Sequence, residues 1–144
     1  MQLIKLQHRA IITAAFNDAL DEFRIAPQKY KPTSYKIEGD WSSASYLLAL
    51  GAMTGEIEVN NLPTETMQGD RMILDFLQEM GARIKVRNNS IIIWQSKLKA
   101  IRANMTDCID LLPTMAVLAA MAEGTSQLTG IGCARIKESD RVAA

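Results

Sequence analysis

A repeat with a spacing of seventy residues is the feature that most constrains the fold of this chain. Asp40 precedes Ser-Ser-Ala-Ser-Tyr-Leu-Leu-Ala-Leu-Gly-Ala-Met, and Asp110 precedes Leu-Leu-Pro-Thr-Met-Ala-Val-Leu-Ala-Ala-Met-Ala. Asp70-Arg71 recurs at the same spacing as Asp140-Arg141. Because self-similarity at a fixed period is typical of repeated supersecondary units, we predict two copies of one unit that share a core.

Each unit is predicted to run strand, helix, strand, helix, strand, strand. Apolar residues and alternating charged and apolar residues mark the helices and strands, and Gly81 is a suitable C-cap for the second helix. The second copy breaks off inside this pattern, so we expect the chain to be a fragment. The predicted elements are helices at 42–53, 67–80 and 112–122 and strands at 56–59, 83–86, 91–94 and 126–129.

The helices at 42–53 and 112–122 are apolar nearly all round, whereas the strands have one apolar face. This pattern predicts an α/β (α+β) fold with helices inside and sheets outside. Pro113 suits the first turn of its helix, and Asp40 or Ser42 suits an N-cap. On spacing alone, Asp110 is also more easily explained as an N-cap than as a reactive group.

The residues before the repeat predict a separate region. Apolar residues at three- and four-residue intervals predict a helix over 9–23, a proline-containing connection at 26–33 follows, and 34–38 alternate like a strand. A boundary near Gly39 therefore divides the chain into residues 1–38, a helix plus a strand, and residues 39–144, one complete unit and a truncated second one.

Composition narrows the classes of partner. The 144 residues carry a formal net charge of zero, so they lack the basic excess of a nucleic-acid-binding domain. No apolar run is long enough to span a membrane and no secretory signal is present, which predicts a cytoplasmic protein without membrane partners. Cys108 and Cys133 are expected to be free thiols, and His8 a surface or partly packed side chain.

Residues 135–141, Arg-Ile-Lys-Glu-Ser-Asp-Arg, concentrate charge at the predicted start of a helix. Lys137 and Arg141 there oppose the helix dipole unless an anion compensates them, so the segment predicts an anionic ligand. Glu138 adds a possible acid or base, whereas a solvated face with ordinary ion pairs is the simpler explanation. The first copy has Met67-Gln68 in place of Lys137-Glu138, which favours a functional role for the second copy.

Three segments resemble a known family when they are read in order. Gly-Asp-Trp-Ser-Ser-Ala-Ser-Tyr at 39–46, Met-Gln-Gly-Asp at 67–70 and Lys-Glu-Ser-Asp-Arg at 137–141 are similar to signature segments of the 5-enolpyruvylshikimate-3-phosphate synthases. The resemblance covers the middle third of such an enzyme. It implies an inside-out, enolpyruvyl transferase-like fold of βαβαββ units with buried parallel helices and outer mixed sheets, here incomplete.

The resemblance also implies an activity and roles for single residues. The family transfers the enolpyruvyl group of phosphoenolpyruvate to the 5-hydroxyl of shikimate 3-phosphate, on the route to chorismate and aromatic amino acids, without a metal or cofactor. Asp110 matches its proton-accepting, shikimate-binding aspartate and Glu138 the residue that transfers a proton at the methylene carbon. Lys137 matches the lysine that binds shikimate 3-phosphate, Arg141 an arginine that binds phosphoenolpyruvate, and Asp40 an aspartate of the cleft.

The resemblance leaves other functions to be considered. Because the chain covers only part of the family's site, we expect little or no turnover from the isolated 144 residues. One alternative is the related enolpyruvyl transferase that acts on UDP-N-acetylglucosamine. Another is a non-catalytic anion-binding or assembly module, since an unfinished unit leaves an apolar face and a strand edge that favour self-association.

Overall fold

The computed structural model describes residues 2–4, 14–19, 21–29, 32, 34 and 36–143, with residues 2–4 described by their backbone alone. The chain divides into two compact units, Met1–Ile37 and Glu38–Ala144. His8 and the first residues of the helix predicted over 9–23 lie outside the described residues.

The first unit contains an antiparallel sheet where the sequence predicts a helix. Asn17 closes a turn by accepting hydrogen bonds from the backbone N–H groups of Asp21 and Glu22. This turn pairs Phe16 with Phe23, whose ring centroids lie 6.3 Å apart. The helix prediction is therefore wrong in the described residues. Phe16 and Phe23, two of the apolar residues that recur at helical intervals, lie on two paired strands instead of on one helical face. The strands, in spatial order, are β1 (Gln2–Ile4), β2 (Ala14–Phe16) and β3 (Phe23–Arg24).

The strand predicted at 34–38 is not formed by the residues described there, 34 and 36–38. The chain instead enters the next helix directly. The N–H of Gly39 donates to the carbonyl of Asn61 at 2.7 Å, and this contact is so close that a Cβ on Gly39 would lie 2.7 Å from the same oxygen.

The second unit follows the predicted order of elements closely. The helices predicted at 42–53 and 112–122 are confirmed, whereas the one predicted at 67–80 begins later, as a 3-10 helix at Gly69–Met72. Two further 3-10 helices span Ile109–Leu111 and Gly132–Ile136 in the part of the chain that is described. The main elements are α1 (Trp41–Thr54), β4 (Glu56–Asn60), α2 (Ile73–Glu79), β5 (Arg83–Arg87), β6 (Ser90–Trp94), β7 (Arg102–Asn104), α3 (Leu112–Met121) and β8 (Gln127–Thr129).

The two sheets of this unit differ in the relative orientation of their strands. β4, β6 and β5 form an antiparallel sheet in that order, and β7 pairs with β8 in parallel. Ile57, Ile93 and Ile84 lie opposite one another and belong to the core or pack against it. Glu58 and Lys85 on the alternate positions are exposed, as expected for a sheet with one buried face.

Helices α1 and α3 pack side by side and in parallel. Their first turns are joined by the buried hydroxyl pair Ser45 Oγ and Thr114 Oγ1, 2.9 Å apart, and Met53 and Met121 near their other ends line one cavity. The core around them is continuous with both sheets. One side of each helix remains uncovered, since the side chains of Tyr46, Leu47, Leu50, Val117 and Met121 are exposed. None of the described helices has the length and apolar character needed to cross a membrane.

Candidate functional site

The first turn of α1 is held by Asp40. Its carboxylate accepts hydrogen bonds from the backbone N–H groups of Ser42 at 3.2 Å and Ser43 at 3.1 Å, the geometry of an N-cap. The hydroxyl of Ser43 donates to the same carboxylate, and this bond and the backbone N–H groups lower the pKa of Asp40. The prediction that Asp40 caps this helix is confirmed.

The first turn of α3 is built differently. The 3-10 turn Ile109–Leu111 precedes α3, and Pro113 occupies the first turn, as predicted. Asp110 lies inside that 3-10 turn rather than in the extended conformation that an N-cap requires, and the N-cap position, Leu111, makes no side-chain capping bond. The expectation that Asp110 is an N-cap is therefore wrong.

The Asp110 carboxylate is instead bound by two cations. Lys137 Nζ lies 3.2 Å from Asp110 Oδ1, and Arg141 Nη1 lies 2.8 Å from the same oxygen. Arg141 also donates through Nη2 to Glu138 Oε1. The structure thus brings the four predicted residues into one network of two cations and two carboxylates, although thirty-one residues separate Asp110 from Arg141.

The backbone that carries this network differs from the prediction. Residues 132–136 form a 3-10 helix and residues 137–143 form bends and turns, so 135–141 do not begin a helix. Asp140 explains the difference, because its Oδ1 accepts from the N–H groups of Val142 at 3.0 Å and Ala143 at 3.1 Å, as an N-cap does. Lys137 and Glu138 therefore precede a turn at 141–143 and do not begin a helix, so the helix-dipole argument for an anion does not apply to them.

Two cavities lie beside these residues and share Ser42 and Asp110. The larger, about 560 Å³, also includes both cations and Glu138 in its wall. The smaller, about 320 Å³, is also lined by Gln68, Gly69 and Asp70 and by residues 106–109. The remaining lining residues of the larger cavity are Ser43, Tyr46 and Pro113. Asp40 lines neither cavity, but its carboxylate accepts a hydrogen bond from Ser43.

Charge in the network is balanced internally. Hydrogen bonds from Lys137 and from Arg141 hold the pKa of Asp110 below its usual value, and Arg141 does the same to the pKa of Glu138. Binding to Glu138 and to Asp110 raises the pKa of Arg141 in turn. At neutral pH both carboxylates are ionised, so an anionic ligand has to compete with them for the two cations. A charged, ligand-accessible network of this kind can bind an anion and exchange protons with it.

Two residues of the signature segment at 67–70 were given no individual role from the sequence. Gln68 binds the start of α1, since its Oε1 accepts from Trp41 N at 2.9 Å and its Nε2 donates to Gly39 O at 3.0 Å. Asp70 accepts a hydrogen bond from the hydroxyl of Ser42. Two signals pointed to them: their place in a segment that resembles the family, and their match to Glu138 and Asp140 seventy residues later. Among the described residues, no group of His, Cys, Asp and Glu side chains is arranged to hold a metal ion, and both cysteines are free.

The order and packing of the described elements are those of an enolpyruvyl transferase fold. The enolpyruvyl transferase NikO from Streptomyces tendae shares this fold, with a TM-score of 0.58 over 80% of this chain and 29% of that one at 17% identity. The family model of EPSP synthase (3-phosphoshikimate 1-carboxyvinyltransferase) matches residues 6–144, so the chain belongs to the EPSP synthase family. The predicted family and fold are confirmed.

Relatives within the family agree with this assignment. A 3-phosphoshikimate 1-carboxyvinyltransferase from Dehalococcoides mccartyi is 49% identical over 85% of this chain, and one from Methanosphaera stadtmanae is 49% identical over 83%. The structure of an EPSP synthase from Acinetobacter baumannii matches 92% of this chain and 32% of its own, with a TM-score of 0.70 and 26% identity. The chain spans 29% of the length of the two curated relatives.

Proposed function

We propose that this chain is part of a 3-phosphoshikimate 1-carboxyvinyltransferase, which transfers enolpyruvyl from phosphoenolpyruvate to the 5-hydroxyl of shikimate 3-phosphate in the cytoplasm. The observation that carries the proposal is the network of Asp110, Lys137, Glu138 and Arg141 at one cavity. Both substrates are anions, and the network supplies two cations together with two groups that transfer protons.

The residues divide the chemistry between them. Lys137 binds the phosphate of shikimate 3-phosphate, and Arg141 binds the carboxylate of phosphoenolpyruvate. Asp110 accepts the proton of the 5-hydroxyl as the hydroxyl oxygen bonds to C2 of phosphoenolpyruvate. Glu138, which is ionised beside Arg141 in the free chain, takes up a proton from solvent before the transfer and delivers it to the methylene carbon. The tetrahedral intermediate then returns a proton from that carbon to Glu138 as the bond between C2 and the phosphate oxygen breaks, and the phosphate leaves with the proton held by Asp110, which restores the double bond. Asp40 supports the cleft through Ser43.

The proposal extends to the organisation of the chain. Residues 1–38 would end one globular half of the enzyme and residues 39–144 would begin the other, with one complete unit and a truncated second. Groups outside these residues would complete the site, so we expect little turnover from the chain alone. Self-association of the chain also stays a prediction, for which exposed apolar side chains on α1 and α3 provide support.

The test is a titration of the 144-residue chain by two-dimensional NMR with shikimate 3-phosphate, phosphoenolpyruvate and UDP-N-acetylglucosamine. The variant K137M/E138Q gives the second copy the Met-Gln of the first. We expect it to weaken binding of shikimate 3-phosphate roughly 10–100-fold, because charge-assisted hydrogen bonds contribute about 1.5–3 kcal/mol each. The matched control K85M/E58Q makes the same changes on the exposed face of the β4-β6-β5 sheet and should bind normally.

Each other outcome contradicts part of the proposal. Tighter binding of the nucleotide sugar than of shikimate 3-phosphate would assign the chain to the other enolpyruvyl transferase. Equal binding of all anions would indicate a non-catalytic module. Full catalytic turnover by the chain alone would refute the view that it holds only part of the site.

A further inference from the structure

The hydroxyl of Ser42 connects the two cavities to Asp70. Ser42 lines both cavities, and its Oγ donates a hydrogen bond to Asp70 Oδ2, twenty-eight residues away in sequence. Within the described residues Asp70 forms no salt bridge: its neighbour Arg71 pairs with Asp75 at 3.0 Å, and Lys137 acts on Asp70 only through its charge. An ionised carboxylate has no proton to donate, so the direction of the Ser42 bond is fixed.

We infer that Asp70 is a positioning residue that sets ligand preference at this wall: by holding the Ser42 proton, it leaves the lone pairs of Ser42 Oγ to accept a hydrogen bond from a ligand hydroxyl. The inference rests on the proposed function, in which the ligand is a hydroxylated ring that carries a phosphate. Lys137 and Arg141 would bind the anionic group, and Ser42 would accept from a hydroxyl of the ring.

The distribution of charge between the cavities supports this division. Both cations lie in the wall of the larger cavity, whereas the described wall of the smaller one contains Asp70, Asp107 and Asp110 and no Lys or Arg. A wall rich in carboxylates repels anions and accepts hydrogen bonds from hydroxyl groups. Burial raises the pKa of Asp70 and the charge of Asp110 adds to this effect, as expected for acids held close together.

Asp140, which matches Asp70 in the second copy of the repeat, makes different contacts. Asp140 pairs with Arg135 at 3.1 Å and accepts from the N–H groups of Val142 and Ala143. Its carboxylate is therefore occupied by groups of its own segment. Asp70 makes its side-chain contact across the unit instead, to a residue of the cavity wall.

The experiment compares two ligands, shikimate 3-phosphate and inorganic phosphate, by NMR titration of the whole chain. D70A and S42A should each weaken binding of shikimate 3-phosphate roughly 3–10-fold, the effect of one hydrogen bond, and leave binding of phosphate unchanged. D70N should largely retain the affinity, because its amide oxygen still accepts from Ser42. The double variant S42A/D70A should be no weaker than either single variant. D75N, on the exposed side of α2, is the control.

An equal loss of both ligands in D70A would overturn the inference, since it would indicate a general structural role. So would a D70N variant as weak as D70A. If the unaltered chain binds shikimate 3-phosphate no better than phosphate, the proposed function fails, and the positioning role is decided by a carboxyl ¹³C titration. The pKa of Asp70 should rise in S42A, because the Ser42 hydrogen bond lowers it, and an unchanged pKa would overturn the inference.

Discussion

In the first copy of the repeat, Asp40 and Arg71 contact helices of that copy, whereas in the second copy the matching Asp110 and Arg141 bind each other beside a cavity. Asp40 caps α1, but Asp110 caps nothing and binds two cations. Arg71 pairs with Asp75 one helical turn later, while Arg141 reaches back to Asp110. Equivalent positions of the repeat thus stabilise a helix in one copy and form part of the candidate site in the other.

The residues at positions 68 and 138 account for much of this difference. Gln68 can both donate and accept, so its amide joins Trp41 N, Gly39 O and the carboxylate of Glu38. Glu138 can only accept when ionised, and it remains 73% exposed beside Arg141. The amide of Gln68 therefore fixes the backbone at the start of α1, whereas the carboxylate of Glu138 stays accessible to a ligand.

The largest effect is expected at position 69, where the first copy has Gly and the second has Ser139. A Cβ on Gly69 would lie 2.1 Å from the carbonyl oxygen of Asp107, so the two loops approach too closely for any side chain. G69S should lower the free energy of unfolding by about 3 kcal/mol, the upper range for overpacking. S139G, at an exposed residue, should change it by less than about 1 kcal/mol. Urea denaturation of both variants measures the difference.

Equal effects of G69S and S139G would break the comparison, because they would mean that the loops around 69 and 139 are packed alike. Retention of ligand binding in folded S139G would sharpen it. The second copy would then owe its function to Lys137 and Glu138 rather than to the shape of its loop.

Most of the fold of residues 39–144 was predictable because its signal is periodic and local. The apolar stretches after Asp40 and Asp110 form α1 and α3, which supply core residues such as Leu48 and Leu118, and the alternation in β4 and β5 places Ile57 and Ile84 against that core. The region before Gly39 was not predictable in this way. There the spacing of Phe16 and Phe23 fits a helical face and a hairpin equally well, and the contact between the two strands decides between them.

The site was predictable in its membership and less so in its geometry. Resemblance to a family pointed to Asp110, Lys137, Glu138 and Arg141, but the predicted helix start at 135–141 is absent, and Asp140 instead holds a turn that follows Lys137 and Glu138. Asp70 belongs to a signature segment, but its hydrogen bond with Ser42 joins two segments of the chain and is encoded by no local pattern. Sequence periodicity does not determine which single polar atoms meet in the tertiary structure.

A smaller effect is expected from alanine at the two matching aspartates. D40A should lower the free energy of unfolding by about 1 kcal/mol, since it removes a helix N-cap. D110A should lower it by less than about 0.5 kcal/mol, because exposed ion pairs contribute little to stability. Urea denaturation at neutral pH distinguishes them. A larger loss in D110A than in D40A would show that the second aspartate is structural after all.

The smallest effect is expected in the response of these aspartates to salt. The pKa of both lies below the usual value, through Ser43 and backbone N–H groups for Asp40 and through Lys137 and Arg141 for Asp110. Raising the salt concentration from 0.1 M to 1 M shortens the Debye length from about 10 Å to about 3 Å. In a carboxyl ¹³C titration, the pKa of Asp110 should therefore rise toward its usual value, while that of Asp40 should move less.

The lowered pKa of Asp110 also makes the stability of the fold depend on pH. A carboxyl with a lowered pKa in the folded state stabilises it above the pKa of the unfolded state, and this stabilisation is lost as the pH falls through the lowered value. The difference in unfolding free energy between the unaltered chain and D110N should therefore vanish in acid, and at neutral pH it should shrink at 1 M salt. Equal salt shifts for Asp40 and Asp110 would contradict the distinction between a cap made of hydrogen bonds and a counterion held by charge.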